Sequence, residues 1–409
     1  MSYTYQTFSV GQVLTAAQQQ SLIDSVRDHV HGSSSVSEIL STVTAGMIPQ
    51  ATGMTYTAVE TNHRPNLLIN PNWQIDQINE GALYTVNTTA VRGPDGWSGD
   101  AVGAGVFKLR TLADPDNAAL KCLEISCTTA DASIAATDRY EVWTAVEGYD
   151  AAALQFGLAS GVPFTYQFKL KSNSVTGVVG VYFTNSAGDR FYAGTITIPD
   201  TAENAYSVTL TPDAAGTWLY TNGIGLRMGL VLAAGSNFQG TAGAWTASTV
   251  RTTSSQANFM SANTNIIYLK RGQLIPGSLV QAYKPADIQK ELAKAQRQYQ
   301  KSFKVGTAVA QNAGTGTGEL VFNNTVTGLA IPAFLIPLKV SMRAAGSSVV
   351  YNPSAANGEV RDTTFAADCS GSSITMSGEN TAYLTYTGNA ASIPNSIMNA
   401  HFSLNARLS

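Results

Sequence analysis

Alternation of apolar and polar positions dominates the chain from about residue 66 onward. In "FTYQFKLK" it places Phe164, Tyr166, Phe168 and Leu170 on one face and polar residues on the other, which predicts a half-buried strand. The stretch "GIGLRMGLVLAAG" alternates in the same way, with one face formed by Ile224, Leu226, Met228, Leu230 and Leu232. No long helical pattern separates these strands, so we expect antiparallel sheets packed as a sandwich.

Two segments follow a helical period instead. Near the start, Thr15 and Gln18 have capping-box spacing and precede an apolar stripe, which predicts a short helix that Gly32 ends. Further on, apolar residues recur at steps of four, three, four and four, namely Ile288, Leu292, Ala295, Tyr299 and Phe303. This spacing predicts a connector helix with its apolar side docked and its charges in water.

These patterns divide the chain into four predicted parts. Residues 1–65 form an N-terminal attachment helix and a stalk or linker, and residues 66–285 form the main β-domain. Residues 286–303 form the connector helix, and residues 304–409 form a smaller C-terminal β-sandwich. In its last strand we expect one face to carry Phe402, Leu404, Ala406 and Leu408.

Composition and charge exclude several classes of function. Charged residues make up 12% of the chain and the net charge is −3, so there is no basic footprint for nucleic acid. No apolar run of about 18 residues predicts a membrane span, and the start lacks the pattern of a signal peptide. Of three cysteines, Cys122 and Cys127 stand five apart in a predicted strand and point to opposite faces, so we expect no disulfide framework.

A resemblance to bacteriophage and prophage tail-fibre and spike proteins runs from Asn66 to Phe303. It rests on ordered segments: "NLLINPNWQI", "DGW", "VEGYDAAALQFG", "FTYQFKLKS", "DRFY", "GTWLYTNGIGLRMGLVLAAGSNF" and "QLIPGSLVQAYKPADIQKELAKAQRQY". A "VSMRAA" strand and a terminal "FSLNARL" segment extend it, and "FSVGQVLTAAQQQSLIDSVRDHVHG" resembles virion proteins fixed by a first helix. The helix departs from those relatives, because Ala295 to Tyr299 stand where they commonly read Cys-Gln-Arg-Tyr-Tyr.

The resemblance implies a jelly-roll, carbohydrate-binding-like module in a virion protein that binds bacterial surface polysaccharide. The particle would be a phage or a phage-like gene transfer agent, assembled in the bacterial cytoplasm, with the protein on a tail, a baseplate or a head spike. Residues 1–65 would contact other virion proteins. Weak sugar sites gain from several copies, so we expect a homo-oligomer, with a trimer as the first expectation and a pentamer as the alternative.

Sugar binding needs aromatic faces for pyranose C–H groups and polar side chains for hydroxyls. Several predicted loops supply both, and their candidate residues are Tyr140, Trp143, Asp189, Arg190, Tyr192, Trp218, Tyr220 and Trp245. Tryptophan in a sandwich also serves as core, and for Trp73 and Trp97 we expect that role.

Metal binding and catalysis have weaker signals. His29 and His31 stand two apart, so in a symmetric oligomer these histidines from each copy could coordinate a metal ion on the axis. The alternative is that a histidine at a helix end complements the terminal carbonyls. No cofactor is otherwise expected. A depolymerase would need paired carboxylates on a repetitive solenoid, and no repeat, nucleophile elbow or zinc spacing occurs. We expect a non-enzymatic protein, with a structural connector or a depolymerase as alternatives.

Overall fold

The computed structural model describes residues 65–329 and 331–408, which belong to one compact unit. The predicted first helix, the stalk up to Arg64 and the candidate metal ligands His29 and His31 lie outside these residues. Within the described part, no helix is long and apolar enough to cross a membrane.

Thirteen strands and one short helix form the first half of this unit. In chain order they are β1 (Tyr84–Val86), β2 (Val91–Arg92), β3 (Trp97–Val102), β4 (Val106–Asp114), β5 (Asn117–Thr129), β6 (Arg139–Glu147), α1 (Gly148–Ala151), β7 (Phe164–Ser172), β8 (Gly177–Thr184), β9 (Phe191–Ile198), β10 (Asn204–Leu210), β11 (Ile224–Ala234), β12 (Trp245–Thr246) and β13 (Ile266–Pro276). Single 3-10 turns lie at Ala152–Leu154, Ser236–Phe238 and Phe259–Ser261.

These strands make two antiparallel sheets that face each other. Sheet I has the order β1-β4-β5-β13-β7-β10, and sheet II has the order β12-β9-β8-β11-β6-β3-β2. The space between them is filled by apolar side chains from both inner faces, which form one large buried cluster. The predicted mainly-β, antiparallel sandwich is therefore confirmed, because period-two patterning places one face of each strand in this core.

The inner face of β7 follows the predicted alternation, and Phe164, Tyr166, Phe168 and Leu170 are all buried in the central core. In β11 the alternation holds from Leu226 to Leu232 but not at Ile224, which packs in a separate cluster on the outer side of sheet II. A register shift between Ile224 and Leu226 explains the difference, since one extra residue turns the following side chains to the other face.

The connector helix, α2 (Ile288–Gln298), begins at Asp287, whose side chain accepts a hydrogen bond from the Gln289 amide. It ends five residues before the predicted end, because Tyr299 is extended, with φ −149°, and starts a strand. Its charges are also not all in water, which corrects the expectation. Glu291 is buried, and its carboxylate accepts a hydrogen bond from the backbone N–H of Asn70 at 3.0 Å. The Arg297 guanidinium contacts the Glu147 carboxylate at 2.7 Å.

The second half contains nine short strands that pack around a smaller core. They are β14 (Tyr299–Lys301), β15 (Leu320–Asn323), β16 (Ala333–Ile336), β17 (Ser347–Tyr351), β18 (Arg361–Asp362), β19 (Ala367–Asp368), β20 (Ser370–Met376), β21 (Ala382–Thr387) and β22 (Ile397–Asn405). Strand β22 pairs with β14, β15, β17 and β18, while β16, β21 and β20 form a separate three-stranded sheet.

The end of the chain ties this half to the outer face of sheet II. Strand β22 stops at Asn405, and Leu408 leaves the face it was expected to share with Phe402 and Leu404. It packs instead in the outer cluster with Trp143. The reason is the loss of strand geometry after Asn405, which ends the alternation.

Candidate ligand-binding surfaces

Five aromatic side chains meet at one end of the sandwich, and we call them the aromatic cluster: Phe156, Tyr192, Trp218, Tyr220 and Trp245. Phe156 stacks on Trp218 with ring centroids 4.0 Å apart. Trp245 meets Trp218 edge-on at 5.4 Å and lies 5.5 Å from Tyr192. The structure thus brings together four of the aromatic residues that the sequence predicts for sugar binding, and Phe156 is an addition.

Three side chains of this cluster donate hydrogen bonds within the protein. The Trp218 indole donates to the Ala215 carbonyl at 2.9 Å, and the Trp245 indole donates to the Thr211 carbonyl at 2.8 Å. The Tyr220 hydroxyl donates to the backbone carbonyl of Phe156. Trp218 itself is only 7% exposed, so its ring closes the end of the core and offers little surface to a ligand.

Two polar residues of the predicted site lie beside the aromatic cluster. The Arg190 guanidinium contacts the Asp213 carboxylate at 2.6 Å, and this hydrogen bond raises the pKa of Arg190. Asp189 accepts from the Asn185 amide at 2.7 Å and is exposed. Among the predicted site residues of this region, Tyr220 and Asp189 are exposed, while Trp245, Tyr192 and Arg190 are partly exposed.

Trp143 and Tyr140 lie elsewhere and are buried, which corrects their prediction as sugar-binding residues. Trp143 is on the outer face of sheet II, where its indole donates to Asp100 at 2.9 Å and the Arg227 guanidinium covers its ring at 3.9 Å. The Tyr140 hydroxyl donates to Asp131 at 2.6 Å. Neither ring has a free face: Arg227 and the outer cluster that includes Leu408 cover Trp143, and Tyr140 is buried in the core between the sheets.

A second surface, which the sequence prediction missed, lies on the outer face of sheet I. We call it the sheet groove; it has a cavity volume of about 480 Å³. Its lining contains both apolar and polar residues, namely Asn117, Leu120, Gln167, Phe168, Lys169, Ala205, Tyr206, Arg271, Val280, Gln281, Tyr283 and Pro285. The groove therefore combines amide groups, two cations and the Tyr283 side chain in one open concavity. The Tyr206 ring points the other way and packs on Phe168 and the core between the sheets.

The wall of the sheet groove is the segment 277–285, which the β7 side chains fix in place. The side-chain amide of Gln167 donates to the backbone carbonyl of Gln281 at 2.5 Å and accepts from the backbone N–H of Gln281 at 2.9 Å. Thr165 donates to the Gly277 carbonyl at 2.8 Å. These bonds hold a segment without regular structure against a rigid strand, so the groove is formed before any ligand binds.

Beneath one side of the groove lies a network of charges centred on Lys270. Its ammonium lies 2.5 Å from both Asp114 and Asp116 and 3.1 Å from Glu203. Burial acts to lower the pKa of Lys270, but these three hydrogen bonds outweigh it and raise the pKa. The same carboxylates have the spacing of metal ligands, yet the lysine ammonium already lies among them and supplies the positive charge.

Arg271 follows Lys270 at a register shift in β13 and has a positive φ of 54°. A residue with a side chain rarely adopts this conformation. The shift lies between Lys270 and Gln273, where β13 leaves its regular pairing with β7. It turns the Arg271 side chain toward the sheet groove, which this residue lines.

Comparisons with known proteins give a partial likeness. No family model and no curated protein matches the chain. Among solved structures, a family 4 carbohydrate-binding module is similar at 12% identity and a TM-score of 0.26, covering 51% of this chain and 97% of that one. A family 11 module from Clostridium thermocellum, in complex with a β-1,3-1,4-mixed-linked tetrasaccharide, matches at 12% identity and a TM-score of 0.26, covering 49% and 98%.

A family 29 carbohydrate-binding module is similar at 13% identity and a TM-score of 0.23, and covers 49% of this chain and 98% of that one. All three are carbohydrate-binding modules by name. At such low identity and superposition, the likeness carries no argument about what this chain binds.

Proposed function

We propose that this protein is a non-catalytic binder of polysaccharide and that the sheet groove is its binding site. The observation that carries the proposal is the preformed concavity of about 480 Å³, in which amide side chains alternate with apolar and aromatic surface. A sugar presents hydroxyls at its edges and C–H groups on its faces, so such a mixed lining complements it. An apolar ligand would leave the side-chain amide oxygen of Gln281 without a partner.

The proposed setting is a virion, and it rests on the sequence resemblance to phage and phage-like spike and fibre proteins. The protein would adsorb to host surface polysaccharide and mount on the particle through residues 1–65. In a trimer or a pentamer, the weak sites of several copies would bind together and give high avidity for the cell surface.

Binding and cleavage can be separated in one experiment. The protein is incubated with a panel of bacterial capsular polysaccharides and lipopolysaccharides, and both its retention and the polymer length are followed. Retention with unchanged length supports the proposal. Shortened polymer would reveal a depolymerase, and no retention across the panel would leave a structural connector.

A blocking variant tests the location of the site. Ala205 is exposed, faces the groove opposite Lys169 and lies on an edge strand, so Ala205→Trp should fill the groove without disturbing the core. We expect the affinity for polysaccharide to fall about 100-fold, because the introduced indole occupies the space that the ligand needs. The matched control is Thr197→Trp at an exposed position of β9 in sheet II, which should bind as the unmodified protein does. Equal binding by both variants would place the site outside the groove.

A further inference from the structure

The charges beside the sheet groove do not balance. Four cationic side chains, Lys169, Lys171, Lys270 and Arg271, meet three carboxylates, Asp114, Asp116 and Glu203, which leaves one positive charge. This local excess stands out in a chain whose net charge is −3. The excess charge can be assigned to one residue by comparing the contacts of the four cations.

The three lysines have close partners. Lys169 lies 2.6 Å from Glu203, Lys171 lies 2.6 Å from Asp116, and Lys270 contacts two carboxylates at 2.5 Å. Arg271 has only long contacts, 3.5 Å to Glu203 and 3.8 Å to Asp114. Its Nε–H has no hydrogen-bond partner in the described part of the chain, and its side chain is 20% exposed. Arg271 is therefore the cation whose bonding capacity is least used.

The backbone at Arg271 supports the same conclusion. A φ of 54° costs free energy in any residue but glycine, and glycine is the very next residue, Gly272. The strained position places a guanidinium at the edge of the groove, near Tyr283 on the opposite wall. Arginine binds carboxylates with two parallel hydrogen bonds, which a lysine cannot do.

We infer that the sheet groove takes an acidic polysaccharide, such as a polymer of uronic acids, and that Arg271 contacts its carboxylate. The inference rests on the proposed function of the groove and adds the chemical class of the ligand. The nearby carboxylates Asp114 and Glu203 remain paired with Lys270 and Lys169 when Arg271 turns to the ligand, so no carboxylate loses its close cation.

The test uses matched pairs of polymers. Polygalacturonate, polyglucuronate, alginate and hyaluronan are each compared with their carboxyl-reduced, neutral forms for binding to the full chain at 0.15 M salt. We expect at least one acidic polymer to bind about tenfold more tightly than its reduced form, with the difference shrinking at high salt. This comparison needs no variant and so does not depend on folding of a mutant.

A substitution then tests whether Arg271 is the residue that contacts the carboxylate of the acidic polymer. Arg271→Gln should lower the affinity for the acidic polymer about tenfold and leave the reduced polymer unaffected. The control, Lys304→Gln, removes an exposed positive charge outside the groove lining and should change neither. Equal binding of acidic and reduced forms would overturn the inference while the proposed function stands. Binding of no polymer in this panel or in the bacterial panel would overturn both.

Discussion

The aromatic cluster and the sheet groove lie in the same sandwich but use their polar atoms in opposite ways. In the aromatic cluster, both indole N–H groups and the Tyr220 hydroxyl donate to backbone carbonyls of neighbouring loops. Around the sheet groove, the side-chain amide oxygen of Gln281 and the Arg271 Nε–H have no partner in the described part of the chain. We therefore expect the aromatic rings of the first region to serve stability, whereas the proposed binding site is the region that keeps unused hydrogen-bonding capacity.

The largest effect should come from the aromatic cluster. Trp218→Ala removes a ring that stacks on Phe156 and is 7% exposed, so we expect the free energy of unfolding to fall by about 3–5 kcal/mol. Urea unfolding of the variant and the unmodified protein measures this fall in the free energy of unfolding. Trp245→Ala, at a half-buried position, is the control and should cost less. A Trp218→Ala protein of normal stability that no longer binds polysaccharide would reverse the comparison.

The charged floor of the sheet groove should come next. Lys270→Met leaves Asp114 and Glu203 without their buried cation, which should cost about 3 kcal/mol of stability at pH 7. Lys169 and Lys270 outweigh burial and lower the pKa of Glu203, so this stabilisation is present above pH about 4 and is lost as the pH falls.

Urea unfolding at pH 7 and pH 3 measures the difference between Lys270→Met and the unmodified protein. The control is Lys171→Met, which removes a more exposed pair and should cost less than about 1 kcal/mol. A difference that stays constant between the two pH values would mean that Lys270 acts through packing alone.

Matched tyrosine substitutions give the most direct test of which region binds. Tyr283→Ala in the sheet groove should weaken polysaccharide binding by about 1–3 kcal/mol, because the ligand loses an aromatic contact. Tyr220→Ala, at the 41% exposed edge of the aromatic cluster, should leave the affinity within error. Titration calorimetry on both variants decides, and the opposite result would move the site to the loops.

The smallest effect concerns a third region, around the buried His401. Its ring stacks on Phe303 at 3.9 Å, and its nitrogens lie 3.0 Å from the Ser302 hydroxyl and 2.9 Å from the Thr317 hydroxyl. Burial lowers the pKa of His401, so the unfolded chain takes up a proton more readily than the folded one. Stability should therefore fall as the pH drops below about 6.5, by at most about 1.4 kcal/mol per pH unit.

Urea unfolding between pH 7.5 and pH 5.5 measures this loss. His401→Gln should flatten the dependence, while binding at the sheet groove should stay constant over the same range. A pH profile that survives the substitution would assign the effect to other groups.

Sequence patterning was sufficient for the architecture and for much of the core. Period two placed the inner faces of β7 and most of β11, and the expectation that Trp73 and Trp97 are core residues, which came from their place near the opening family segments, is also confirmed. It was wrong at Ile224 and Leu408, because a register shift and the end of a strand break the alternation. Such breaks depend on tertiary packing, which a local pattern does not contain.

The sheet groove was missed for a related reason. Gln167 and Lys169 have the spacing of a solvent-facing strand side, and only the later segment 277–285 turns that side into a groove. One local signal was present, since "KRGQ" interrupts the alternation of β13 with a charged residue and a glycine. The conspicuous tryptophans drew the prediction to the aromatic cluster instead.

The position of β13 has a consequence for folding kinetics. It is a central strand of sheet I, between β5 and β7, yet Ile266–Pro276 is its latest segment in the chain. Until it is synthesised, β5 and β7 each keep one unpaired edge, and closing the sheet joins residues about 100 or more positions apart. We therefore expect slow folding in which insertion of β13 is the late step, with aggregation through those edges as its main competitor.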